Sequence, residues 1–166
     1  MIYSFIIYKH ILLLITLENM ERAIYMSMIS SGGPFGAVIT NKDGDIIAEA
    51  HNEVTVNNDP TAHAEIQAIR KACKRLKDFK LTDCVLYTSC EPCPMCLGAI
   101  YWSRISKIYY ANTRTDAANI DFDDSEIYEE VAKDIKDRKI KMIQIGRDEA
   151  IVAFDNWKKN NDKIKY

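Results

Sequence analysis

Residues 84–103 read CVLYTSCEPCPMCLGAIYWS, and they decide how the chain folds. Val85 to Thr88 form a short apolar run of the kind that becomes a buried strand. Pro92 and Pro94 suit the first turn of a helix, where amide hydrogens lack intrahelical partners, and PMCLGAIYWS continues that helix. A buried strand passing directly into a helix is the repeating unit of layered α/β structure. The same stretch carries Cys90, Cys93 and Cys96 at intervals of three, so it decides the chemistry as well.

Working outward, the pattern continues as alternating helices and strands. Met20, Ala23, Ile24 and Met28 recur at helical spacing and predict a first amphipathic helix that ends near the glycines of SSGGPFG. FGAVIT and IIAEAHN predict two strands of a hairpin, joined by NKDG with positive φ angles at Asp43 and Gly44. TAHAEIQAIRKACKRLK predicts a second helix with Ala62, Ile66, Ile69 and Cys73 on one face. KIYYA and KMIQI predict two further strands, TDAANIDFDDSEIYEEVAKD a loop running into a helix, and DEAIVAFDNWKK a closing helix with Ile151, Phe154 and Trp157 or Lys158 along one side. Counting CVLYTS, five strands are expected in a sheet covered on both faces by helices, an α/β sandwich.

The chain has 166 residues, 48% of them hydrophobic, with 22 basic and 24 acidic side chains. That length and composition predict one soluble domain, residues 1–166, with 1–19 as a possible added segment or sequence upstream of a start at Met20. A net charge of −2 gives no overall electrostatic reason to bind nucleic acid. Five cysteines, three of them within seven residues, do not form a secreted disulfide framework and suit a reducing, cytoplasmic setting. The apolar N-terminus, MIYSFIIYKHILLLITLE, is interrupted by Lys9 and His10. Each uninterrupted piece falls short of the roughly 20 residues that span a bilayer, so no membrane role is expected.

Ligand count decides what the cysteines do. Three protein ligands with an open position make a catalytic zinc site, and four make a structural one. Cys93 and Cys96, at i and i+3 of a helix start, direct their sulfurs the same way, and the positive end of the helix favours thiolates. His63 near the start of the preceding helix completes the trio. Glu65, two residues on, can converge on the same ion only at a helix end, which NDPT supplies. HAE followed by PCPMC matches the zinc-deaminase signature, in which the glutamate moves protons and does not bind metal. The alternatives are a two-cysteine redox site, an iron–sulfur site, and a closed structural zinc with Cys90 as fourth ligand. Cys73 and Cys84 read as buried thiols.

PTAHAEIQAIRKACK and YTSCEPCPMCLGAIYWSRI together resemble the cytidine deaminase superfamily. GGPFGAVI, NDPTAHAE, TDAANIDFDDSEIY and the closing Tyr166 resemble its guanine-acting bacterial members. The resemblance covers about residues 32–166; the first 31 match poorly. It implies a three-layer α/β/α sandwich with a central mixed five-stranded sheet, and one Zn2+ per chain on His63, Cys93 and Cys96. It implies Glu65 as proton shuttle, with Asp124 and Glu149 accepting from the base or moving protons. Phe35, Asn52, Trp102 and Tyr166 would contact a small purine base, and the C-terminal segments would be exchanged in a homodimer. The implied reaction is hydrolysis of guanine to xanthine and ammonia. A tRNA adenosine deaminase, a deaminase of guanosine or cytosine, and a non-catalytic zinc-stabilised interaction domain are the competing functions.

Overall fold

The computed structural model describes residues 2–166, with side chains from residue 6 onward. It divides into two compact units, residues 1–124 and 125–166.

The first unit is built on a mixed sheet of β1 (Gly36–Thr40), β2 (Ile46–His51), β3 (Val85–Cys90) and β4 (Lys107–Asn112) in the order β2-β1-β3-β4. β1 runs antiparallel to both neighbours, and β3 and β4 are parallel. Every residue of β1 is buried, as a central strand covered on both faces requires. Ala37 and Ile39 face the same layer as Leu86, while Val38 and Tyr87 face the other. Fully buried side chains of the size of Ile39 and Leu86 each contribute about 1.5–3 kcal/mol. The hairpin turn forms as expected, except that only Gly44 has a positive φ, 95°; Asn41 Oδ1 accepts from the amides of Asp43 and Asp45 to close it.

One face carries α1 (Ile2–Met28), which packs on the sheet through Ala23. The helix begins well before Met20, because nothing between residues 2 and 28 breaks it: the stretch holds neither glycine nor proline. Its buried stripe is Asn19, Ala23 and Met26 rather than one ending at Met28, which is exposed. The added turns present Ile6, Ile7, Leu12, Leu13 and Leu14 on their surface. Among the described residues, no helix is long and apolar enough to cross a membrane.

The other face carries α3 (Ala64–Leu76) and α4 (Pro94–Ser103). Between β2 and α3 lies the short α2 (Val54–Asn57). The buried face of α3 includes Ala64, Ala68 and Ala72 as well as the expected Ile66. Three methyl-sized side chains one turn apart bring the helix close to the strands, while Ile69 and Cys73 pack on its flank. α5 (Arg114–Ala118), capped by Thr113 and Asp116 in a reciprocal pair of hydrogen bonds, follows β4.

The second unit holds α6 (Ser125–Ala132), a short 3-10 turn (Ile135–Asp137) and α7 (Arg147–Lys159). The fifth strand expected at KMIQI is not formed, so among the described residues the sheet has four strands. Residues 141–145 are irregular, with Met142, Ile143 and Ile145 exposed. A strand exists only as part of a hydrogen-bonded ladder, and among the described residues this segment has no strand beside it. The predicted stripe of α7 is likewise open, with Phe154 and Trp157 exposed.

Two contacts fasten α1 to the sheet. A Cβ on Gly36 would collide with Ala23 O and Ser27 N, both helix backbone, so Gly36→Ala is expected to cost at least about 1–3 kcal/mol by urea unfolding. Arg22 grips Glu49 with both guanidinium arms, 2.7 and 2.6 Å, and that hydrogen bond lowers the carboxyl pKa. The pair's contribution is therefore present above the unfolded carboxyl pKa of about 4.3 and lost as pH falls through the lower folded value. Because both side chains are partly exposed, Glu49→Gln should cost no more than about 1 kcal/mol at pH 7. In thermal melts the gap from the parent should close in acid.

Candidate active site

Two helix beginnings meet at the sheet end. His63 occupies the N-cap of α3, and Cys93 the N-cap of α4, both with extended backbone angles; Cys96 lies in the first turn of α4. The approach to His63 is fixed by Asp59, whose Oδ1 accepts from the amide and hydroxyl of Thr61 at 2.8 and 2.7 Å. Pro94 at the start of α4 sets the turn that points both sulfurs inward.

His63 Nδ1 is 3.5 Å from Cys93 Sγ and 3.5 Å from Cys96 Sγ, and the donor atoms of the three residues all lie within 4.8 Å of one another. Ligands about 2.0–2.3 Å from a tetrahedral zinc sit roughly 3.5 Å apart, so the trio fits that ion, and thiolate plus imidazole is a donor set that suits it. Cys90, the fourth ligand of the closed-site alternative, is outside this group. It is buried at the end of β3, its thiol directed to Thr113 O at 3.6 Å, and burial pushes its pKa up to about 11.

The ligands share protons tightly. Hydrogen bonding from the Cys96 thiol and from His63 holds Cys93 down at about 4, and the thiolate in turn raises the His63 pKa. Cys96 moves strongly upward, because it donates to Cys93 and is buried.

Glu65 lies beside them with 6% of its surface exposed. Thr88 Oγ1 donates to its Oε1 at 3.1 Å, and its Oε2 is 3.5 Å from Cys96 Sγ. Burial raises its pKa, which poises it to carry a proton. Sequence reasoning gave no part to Thr88. The signal was there: it is a hydroxyl at an inward position of a strand that is otherwise apolar on that face.

The remaining expected residues divide. Asp124 is partly buried, and burial together with the Cys93 charge raises its pKa, which brings it within electrostatic reach of the ligands. Asn52 is buried, its Oδ1 accepting from Val54 N at 3.1 Å. Phe35 packs against the core and meets Phe122 edge-on, with ring centroids 5.0 Å apart. Trp102 stands on α4 with 65% of its surface exposed. Glu149, in the first turn of α7, and Tyr166, at the end of the chain, belong to the second unit and are exposed.

A helix-capping histidine, two cysteines on the next helix start and a buried glutamate between them define a zinc-dependent deaminase centre. Residues 15–112 match the model of the cytidine and deoxycytidylate deaminase zinc-binding region, and the chain belongs to that family. It is 57% identical over 135 residues to guanine deaminase of Bacillus subtilis, covering 81% of this chain and 86% of the relative. The solved structure of that B. subtilis enzyme superposes with a TM-score of 0.86, over 90% of this chain and 97% of that one, at 51% identity. Likeness to the tRNA-specific adenosine deaminase of Aquifex aeolicus is 43% identity over 62% of this chain and 65% of that one.

The geometry makes a definite metal-content prediction. His63→Ala and Cys93→Ser should each bring zinc in the purified protein close to zero by elemental analysis, while Cys90→Ser retains it. Loss of zinc from Cys90→Ser would instead make Cys90 a ligand.

Proposed function

We propose that the chain is a guanine aminohydrolase, converting guanine and water to xanthine and ammonia. One observation carries the chemistry: a buried carboxylate, Glu65, lies against the three ligands of a zinc-type site. The choice of guanine is supported by the extent of the likeness to a guanine deaminase, which includes the segments after residue 112.

His63, Cys93 and Cys96 would hold one zinc per chain, which when bound lowers the pKa of water toward about 7 and so supplies a nucleophile at neutral pH. Glu65 accepts a proton from the attacking water and delivers it to the ring nitrogen as the water oxygen adds to the amino-bearing carbon; it then takes the second proton from the newly added hydroxyl and passes it to the amine as the C–N bond breaks and ammonia leaves. Its raised pKa matches this two-way traffic, since a carboxyl in the ordinary range would hold a proton poorly at neutral pH. Asp124 and Glu149 accept hydrogen bonds from the ring N–H and amino group. Burying those donors without acceptors would cost binding energy, which is how a carboxylate selects this base edge. Phe35 lies against the purine face, Asn52 hydrogen-bonds the base, and Trp102 walls the pocket.

The enzyme is read as a cytoplasmic homodimer of purine breakdown, acting on a free base. The exposed Ile143, Ile145, Phe154 and Trp157 of the second unit support an exchange of C-terminal segments between subunits, with Tyr166 completing the partner's site.

Ammonia release from guanine, guanosine, adenine, cytosine, cytidine and a tRNA anticodon stem-loop tests the reading. Turnover confined to guanine is expected; turnover of the stem-loop with none of guanine would overturn it in favour of tRNA editing. Glu65→Ala should keep its zinc and lose roughly 10²–10⁴ in kcat, and normal turnover in that variant would remove Glu65 from the reaction.

A further inference from the structure

Thr88 sits on β3, a strand hydrogen-bonded to β1 on one side and β4 on the other, so its position is set by the sheet. It is 1% exposed, and it shares its face with Leu86, a core residue. A hydroxyl buried there is costly unless it has a partner, and valine would fill the same space without that cost. Its partner is the carboxylate of Glu65, at 3.1 Å.

That contact divides the labour of the two carboxylate oxygens. Oε1 is tied to the sheet, and Oε2 lies 3.5 Å from Cys96 Sγ, on the side of the ligands. The terminal torsion of a glutamate is broad and nearly two-fold, so without an anchor the carboxylate would rock between orientations. Glu65 belongs to the first turn of α3, and the ligating Cys93 and Cys96 belong to α4. An anchor on the strand beneath registers the proton carrier of one helix against the ligands of the other.

The geometry points to Thr88 as a positioning residue that fixes which oxygen of Glu65 faces the reacting atoms. This rests on the reading of Glu65 as the proton carrier. The hydroxyl of Thr88 is spent on the Glu65 carboxylate, through which its effect passes, so it should appear in kcat rather than in KM.

The test compares Thr88→Val and Thr88→Ser with the parent, all zinc-loaded, using guanine as substrate and crystal structures of each. Losing one hydrogen bond to a charged group at the proton-transfer step should lower kcat of Thr88→Val by roughly ten- to a hundredfold. KM should stay within about twofold. Zinc content and Tm should match the parent, and Thr88→Ser, which keeps the hydroxyl, should recover most of the loss. In the crystals, the Glu65 carboxylate should turn in Thr88→Val and stay in place in Thr88→Ser. The inference is overturned if Thr88→Val keeps kcat within about twofold of the parent, if Thr88→Ser is as impaired as Thr88→Val, or if the carboxylate does not move. The crystallographic arm needs no substrate. Failure of the parent to deaminate guanine would therefore count against the choice of base, and the Thr88 contact would still be decided by the carboxylate.

Discussion

Everything at the sheet end depends on one electrostatic requirement: the half-buried Cys93, the buried Cys96, an imidazole and a buried carboxylate have been brought together where a cation would be stabilised. Hydrogen bonds from Cys96 and His63 lower the Cys93 pKa, and the same contact raises that of Cys96. A divalent ion held by two thiolates and a neutral imidazole would take the place of those protons. Metal loading should therefore release protons and tie the two helix starts together. The alanine face of α3, the proline start of α4 and the Asx turn at Asp59 all serve to place those few atoms.

Such a centre chemically resembles that of any zinc deaminase, so it cannot by itself choose a base. The family match ends at residue 112, where the ligands and Glu65 have already been supplied. Selectivity must then come from outside that stretch, and the likeness to a guanine deaminase extends into residues 113–166. On the proposed reading, Asp124 and Glu149 are the acceptors that a base edge rich in donors requires.

How much of this was legible in the sequence follows from the range of each interaction. The four strands, α3, α4 and the metal trio rest on local spacing, proline chemistry and turn residues, which one sequence displays. The fifth strand was misread because Ile143 and Ile145 have the composition of a strand, whereas a strand also needs a neighbour that the sequence does not name. The stripe of α1 ended at Met26 instead of Met28, and the face of α3 took in Ala64, Ala68 and Ala72 beside the expected Ile66. In both cases contact with the sheet, not side-chain size, chose the face. Thr88 was passed over for a related reason: a threonine in a strand is ordinary until the carboxylate opposite it is known.

The most direct test of the central claim is calorimetry of the protein before and after a chelator strips its metal, followed by return of zinc. The account predicts a lower Tm and no guanine deamination in the stripped protein, a release of protons as zinc is added back, and recovery of both Tm and activity. A stripped protein that melts unchanged and still releases ammonia from guanine would contradict it.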